Sequence, residues 1–345
     1  MYCKLTLDVV PPRLSQTIQT EAEMEAQQYV GIDVAKETLA ICVWGESSQV
    51  FEIPNKPADI RRWLRSLAPD ARLGMESTGR YHRLLADLAH ESGRSVYLLK
   101  PKTLKHYRHS VHARGKTDSI DARVIARYMA QESHLLRAWT PPTPEQDRLD
   151  ALLKVRKACG RMLGSIGQVA DAHKKVLGDA LTPIQKALEH AMDTLERHTK
   201  EEIDKTPELA DKRKRLETIA GVGCINSAVL TYVLSRMDFR SPESVIAYLG
   251  LDPRPMESGK FRGRRRLSKQ GPGWIRCLLH MAAMAAAKQP DWKSFLERHL
   301  AKGLSRTAGL CIIARKIVRI AWSIWTKPGE IYDPRRIAGQ VQLAT

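Results

Sequence analysis

The sequence predicts a mixed α/β unit followed by a mainly helical one. Three observations carry this. Three strand-like runs come in succession near the start and give way to alternating strand and helix patterns as far as about residue 132. Helix-period apolar residues with mixed charge fill residues 145–205. Helices rich in Ala and Leu then finish the chain.

Residues 1–27 read as a polar leader. "YVGIDVAKETLAICVWG" (29–45) reads as two strands around a turn at Lys36–Glu37, and "SQVFEIPN" (48–55) supplies a third. A helix over 57–68, a short buried strand "ARLGMES" (71–77), a helix over 79–93 and a strand "SVYLLK" (95–100) follow, with further helices beyond. The order β-β-β-α-β-α-β-α is that of the ribonuclease H-like fold, a mixed sheet with helices on both faces. Strands one and four are then neighbours at its centre.

The proline-rich "WTPPTPEQ" (139–146) bounds a first domain over 28–143. A long helical segment, 144–212, comes next. In it Ile184, Leu188, Met192 and Leu195 recur at three- to four-residue steps, which suits helices that pair with each other or, as a coiled coil, with another chain. Gly178 and Pro183 separate two of these helices. A third domain, 213–337, opens on "TIAGVG", whose Gly221 and Gly223 form a helix–turn–helix junction. Such a turn leaves backbone N–H groups for a phosphate, or simply lets two helices turn tightly. Beyond it, "RPMESGKFRGRRRLSKQGPGWIR" (254–276) gathers Arg262, Arg264, Arg265, Arg266 and Lys269 around one acid, Glu257.

Lys plus Arg number 56 against 38 Asp plus Glu, a formal charge of +18, so a polyanion is the expected partner, nucleic acid first and a membrane surface second. A chain that is 43% hydrophobic can build a core, which argues against wholesale disorder. No apolar run reaches the roughly 18 residues of a membrane span. There is no signal-peptide pattern, and no two of the six cysteines stand in a CxxC. These features point to a cytoplasmic, nucleoid-associated protein with reduced thiols.

Four carboxylates are placed to meet. Asp33 ends the first apolar strand and Glu76 the fourth. Asp118 and Asp121, in "KTDSIDARVIAR" (116–127), lie one turn apart on one helix face, with Lys116 and Arg123 beside them to steer a phosphate. Packed without counter-charge such acids repel, and a hard divalent cation such as Mg²⁺ removes the conflict. Two such ions about 4 Å apart would clamp the oxygens of a phosphodiester. The plainer readings are a turn residue for Asp33, a helix cap for Glu76, and an N-cap for Asp118 or Thr117.

Several blocks in one order resemble the DEDD transposases of bacterial insertion sequences, the bridge-RNA-guided recombinases. "YVGIDVAKETLAICV" is similar to the family's opening strand, "MESTGRY" to its E-[AS]-T-G-x-Y block, and "KTDSIDARVIA" to its K-T-D-x-x-D-A block. "TIAGVG" and "AYLGLDPRPMESGKFRGRRRLSKQGPGWIRCLL" resemble blocks of its C-terminal domain. The resemblance implies a RuvC-like domain in which Asp33, Glu76, Asp118 and Asp121 hold Mg²⁺. It also implies a transposase domain whose E-S-G serine, here Ser258, becomes covalently linked to DNA. Dimers pairing into tetramers, and a structured RNA that pairs with donor and target DNA, are implied as well.

A serine hydroxyl needs activation to attack a phosphodiester. Ser258 sits on what reads as an exposed loop next to arginines able to grip phosphate oxygens, with Ser268 in "LSKQG" as its rival. Aromatic residues make up only 6% of the chain, which suits backbone contacts more than base stacking. Two other functions stay open at this point: a RuvC-like endonuclease in which water attacks, and a basic binding protein whose acids are structural.

Overall fold

The computed structural model describes residues 27–45, 48–77, 79, 81–111, 117–255, 257–258, 261–263 and 265–338; the expected leader and the cationic Lys116 and Arg264 lie outside them. The chain divides into two compact units, Met1–Pro141 and Pro142–Thr345.

The first unit is built on a five-stranded sheet of order β3-β2-β1-β4-β5. Its strands are β1 (Tyr29–Val34), β2 (Thr38–Val43), β3 (Val50–Pro54), β4 (Arg72–Glu76) and β5 (Ser95–Leu99). β1, β2 and β3 are antiparallel neighbours, whereas β4 runs parallel to β1 and to β5. This is the ribonuclease H-like arrangement, with β1 in the middle. Helices α1 (Pro57–Leu64) and α2 (His82–Glu91) cover one face, where Val30, Ile32, Leu73 and Met75 join Ile60, Trp63 and Leu85 in one core. Helices α3 (Pro101–Ser110) and α4 (Asp118–Glu132) lie on the other.

Two glycines set how closely α4 lies on the sheet. A methyl group at Gly31 of β1 would sit 2.1 Å from the Ala126 amide nitrogen and 2.3 Å from the Ala122 carbonyl oxygen. One at Gly74 of β4 would run into the Met129 side chain, 2.3 Å away. The contacts also orient the helix. Ala122 and Ala126 meet Ala40 and Cys42, while Met129, further along, meets Tyr29 and Tyr97. The N-terminus of α4 therefore points toward the C-terminal end of β1.

The second unit begins with α5 (Pro144–Ala172), a one-turn α6 (Lys174–Leu177) and α7 (Thr182–Asp204). Helices α5 and α7 form an antiparallel hairpin within the chain. Arg148 Nε donates to Glu202 Oε1 at 2.7 Å, Arg156 Nε to Glu196 Oε1 at 2.7 Å, and Gly160 faces Met192. Gly178, at φ +51, follows α6, and Pro183 occupies the first turn of α7. The rest is α8 (Pro207–Glu217), α9 (Cys224–Arg236), α10 (Pro242–Tyr248), α11 (Gly273–Ala286), α12 (Pro290–Leu300), α13 (Arg306–Thr326) and the short α14 (Arg335–Ala338).

These helices share one core around Trp292, whose Nε1 donates to the Tyr332 hydroxyl at 2.8 Å. Arg213 is buried between Asp204 and Glu217. Arg215 donates to the carbonyls of Ile324 and Lys327 and so closes the end of α13. Between α10 and α11 the chain forms two nested two-residue ladders. Strand β6 (Pro253–Arg254) pairs with β9 (Arg266–Leu267), and β7 (Glu257–Ser258) with β8 (Phe261–Arg262), all antiparallel. Among the described residues, no helix is long and apolar enough to cross a membrane.

Candidate catalytic site and basic arm

Side chains alternate across a strand. Gly31 faces α4, so Asp33 does too; Gly74 faces α4, so Glu76 does as well. The register pairs Ile32 with Met75, which puts Asp33 and Glu76 next to each other at the ends of adjacent parallel strands. α4 brings its first turn to the same end of the sheet. Its N-cap is Thr117, whose Oγ1 accepts from the Ile120 amide at 3.3 Å. Asp118, exposed, and Asp121, buried, are thus spared the capping role. Glu76 does not cap α2 either, since that helix has Tyr81 as its N-cap with no side-chain cap bond. Both acids of α4 lie in its first turn, where the helix dipole favours negative charge.

The four acids are therefore gathered at one end of the sheet by the backbone, but their side chains are not drawn into a single cluster. Among the described residues, no three His, Cys, Asp or Glu side chains converge closely enough to hold a metal ion. A cation already stands at Asp121: the Arg108 guanidinium of α3 donates to its Oδ1. Arg123 is exposed and reaches the Cys42 thiol on β2. Burial pushes that thiol up, against the opposing pull of Arg123.

Two residues that the sequence did not single out hold this region. Asn55, just past β3, donates through Nδ2 to the Ala35 carbonyl at 3.0 Å and to the Tyr81 carbonyl at 3.5 Å. It thus ties the segment after Asp33 to the segment after Glu76. Arg108 is the other. A polar residue closing a strand was a weak signal for Asn55, and nothing in "KHYRHS" marked Arg108 out from its basic neighbours.

In the second unit Glu257 and Ser258 of the E-S-G block lie on a strand of the β7–β8 arm, where a loop was expected, and Gly259 lies outside the described residues. Ser258 pairs with Phe261 at the outer end of the inner ladder. The side chains of Ser258 and Arg262 lie outside the described residues. Arg265, Arg266 and Lys269 are exposed along the arm and its base. Ser268 is buried at that base. Its hydroxyl donates to Asp252 Oδ1 and accepts from the Gln270 amide at 3.4 Å, while its own amide donates to the Asp252 carbonyl at 2.9 Å.

The Gly-x-Gly turn divides into two roles. Gly221 has φ +80, and a methyl group there would lie 2.2 Å from the Ala282 carbonyl oxygen of α11. Helix packing accounts for it. Gly223 is the N-cap of α9, and a methyl group there would meet nothing within 4 Å.

Two family models match the chain. A transposase model for the DEDD domain of IS110 elements covers residues 30–166, and the model "Transposase IS116/IS110/IS902 family" covers residues 213–297. The chain is similar along most of its length to the "Pilin gene-inverting protein" of Moraxella lacunata, 27% identical over 318 residues, with 87% of this chain and 96% of that protein covered. A "Probable family 20 transposase" of Pseudomonas aeruginosa is 26% identical over 335 residues, covering 86% of this chain and 96% of that protein. The "Transposase for insertion sequence element IS1111A" of Coxiella burnetii is 24% identical, covering 91% of this chain and 94% of that protein. With both models matched in order, the first over the ribonuclease H-like sheet, the chain belongs to the IS110 family of DEDD transposases, enzymes that cut and rejoin DNA.

Proposed function

We propose that the protein recombines DNA through a covalent serine intermediate, with Asp33, Glu76, Asp118 and Asp121 forming a divalent-metal site and a structured RNA selecting the DNA. The observation that carries this reading is the meeting of Asp33 and Glu76 on one face of adjacent parallel strand ends, with the first turn of α4 at the same end. Carboxylates brought together this way need positive charge, and Arg108 beside Asp121 is consistent with that need. The donor set is all oxygen, which fits Mg²⁺. When bound, the ion would supply charge neutralisation for the phosphate under attack.

The chain's own residues have defined tasks. Ser258 Oγ attacks the phosphorus; an O–P bond forms, the bond from phosphorus to the deoxyribose oxygen breaks, and the hydroxyl proton passes to water. The released oxygen is protonated, and the serine phosphodiester keeps the bond energy, so a DNA hydroxyl can reverse the step and rejoin a strand. Arg262, Arg264, Arg265 and Arg266 would grip the phosphate oxygens of the bound strand, Lys269 would extend that grip to the base of the arm, and Lys116 and Arg123 would steer DNA at the acids. Gly223, with open space around it, is the better phosphate contact of the Gly-x-Gly pair.

Ser268 is a poor rival because it is buried and bonded to Asp252 across the base of the arm. The charge of +18 with only 6% aromatic residues supports a partner that reads sequence by base pairing while the protein holds backbones. Pairing of dimers into a tetramer would let acids of one copy meet the serine of another.

The test is recovery of a protein–DNA adduct from a reaction with element DNA and its co-expressed RNA. Wild-type protein should form an adduct that Ser258→Ala loses and Ser268→Ala keeps. Cutting without any adduct would assign the attack to water.

A further inference from the structure

The helices α12 and α13 carry a group of cations that neither the acids nor the E-S-G arm uses. Arg298 and His299 lie three and four residues after Phe295 on α12, Lys302 follows just past its end, and α13 carries Arg315, Lys316 and Arg319. Lys316 Nζ lies 5.0 Å from the Phe295 ring centroid and the Arg298 guanidinium 5.7 Å from it, while the His299 ring stands edge-on to Phe295 at 4.8 Å. Several like charges are thus held around one aromatic ring.

Carboxylates do little to balance them. Glu243 pairs with Arg319 at 3.1 Å, but among the described residues no salt bridge reaches Lys302, Arg315 or Lys316. Arg315 Nε is buried with no hydrogen-bond partner. The charged groups acting on His299 are Lys302, Arg298, Arg315 and Lys316, every one a cation. Burial and neighbouring cations likewise hold Arg315 and Lys316 below their ordinary values. The group also runs on toward the arm. Cys311, one turn before Arg315, feels both Arg315 and Lys269.

We propose that the α12–α13 face, centred on Lys302, Arg315 and Lys316, is a binding site for the phosphodiester backbone of nucleic acid. A bound backbone would supply the negative charge that this face lacks and the acceptors that its guanidinium and ammonium donors leave unused. Phe295 is engaged by cations, so the face has no free stacking platform and reads backbone, not bases. The proposal needs neither the serine step nor the metal site, because it concerns binding alone.

The experiment is a salt series of binding isotherms for the full chain with a labelled DNA duplex and, separately, a labelled RNA hairpin. The variant K302Q/R315Q/K316Q should lose at least about tenfold in affinity near physiological salt, and its log K against log salt slope should shrink by roughly 0.9 per duplex phosphate contact removed. Loss on the duplex alone assigns the face to DNA, and loss on the hairpin alone assigns it to RNA; either supports the site. Unchanged affinity and slope on both ligands overturns it. Should the triple variant fail to fold, Lys302→Gln and Lys316→Gln are read singly in the same assay, with the same criterion. Asp33→Asn, run alongside, should bind both ligands normally and fail to cut, so a failure of the acid site is read separately from a failure of this face.

Discussion

The Arg108 guanidinium donates to the buried Asp121 carboxylate, linking α3 to the first turn of α4. The pair puts a cation on one of the proposed metal-binding acids, where those acids need a counter-charge.

Replacing Arg108 by Gln should therefore leave Asp121 buried without its cation, at a cost of about 1–3 kcal/mol. Urea unfolding followed by fluorescence checks the loss. Millimolar Mg²⁺ should return more stability to this variant than it adds to the wild-type protein, because the Asp121 oxygen is then open to the ion. An equal Mg²⁺ increment in both proteins would count against Asp121 as a metal ligand.

The two glycines of the Gly-x-Gly turn should separate in their response to alanine. Gly221→Ala forces an L side chain into a left-handed conformation and against the α11 backbone, so it should cost about 3 kcal/mol or more. Gly223→Ala has open space and an ordinary φ, and should change the melting temperature little. If the Gly223 amide meets a phosphate, the same variant should nonetheless bind DNA more weakly. Melting curves and binding isotherms on the two proteins distinguish packing from ligand contact.

Burial, and after it Lys302, Arg298, Arg315 and Lys316, hold His299 below its ordinary value. The unfolded chain then takes the proton at a higher pH than the folded chain does. The contribution of His299 to stability is complete above about pH 6.5 and is lost as pH falls through that unfolded value toward the folded one. Wild-type urea midpoints should therefore fall more steeply on acidification than those of His299→Gln. Parallel curves for the two proteins would remove His299 as a source of acid sensitivity.

Much of the first unit could be read from the chain. Continuous apolar runs, buried in the fold, mark β1 and β4, and the β-β-β-α-β order makes them neighbours. That order made Asp33 and Glu76 neighbours, whereas for Asp118 and Asp121 it offered only a helix able to pack across the same end. What escaped the reading depends on partners distant in sequence. Gly221 needs α11, some sixty residues on, to explain it, and Asn55 acts on two carbonyls in other segments. The E-S-G arm read as a loop because two-residue strands are too short to show a period of two. The pairing of α5 with α7 was one of two arrangements that the same apolar stripe allows, and the ion pairs along the helices decide for the hairpin.

That hairpin has an uneven grip along its length. Its base is fastened by buried Leu149, Leu153 and Ile203 and by the Arg148–Glu202 and Arg156–Glu196 pairs, whereas Met162, Val169 and Val176 further out are 56%, 46% and 84% exposed. Local opening should become cheaper from base to tip, so amide hydrogens near α6 would exchange long before those near Leu153. The two long helices form a zipper whose far end can part and close while the core that anchors it stays folded.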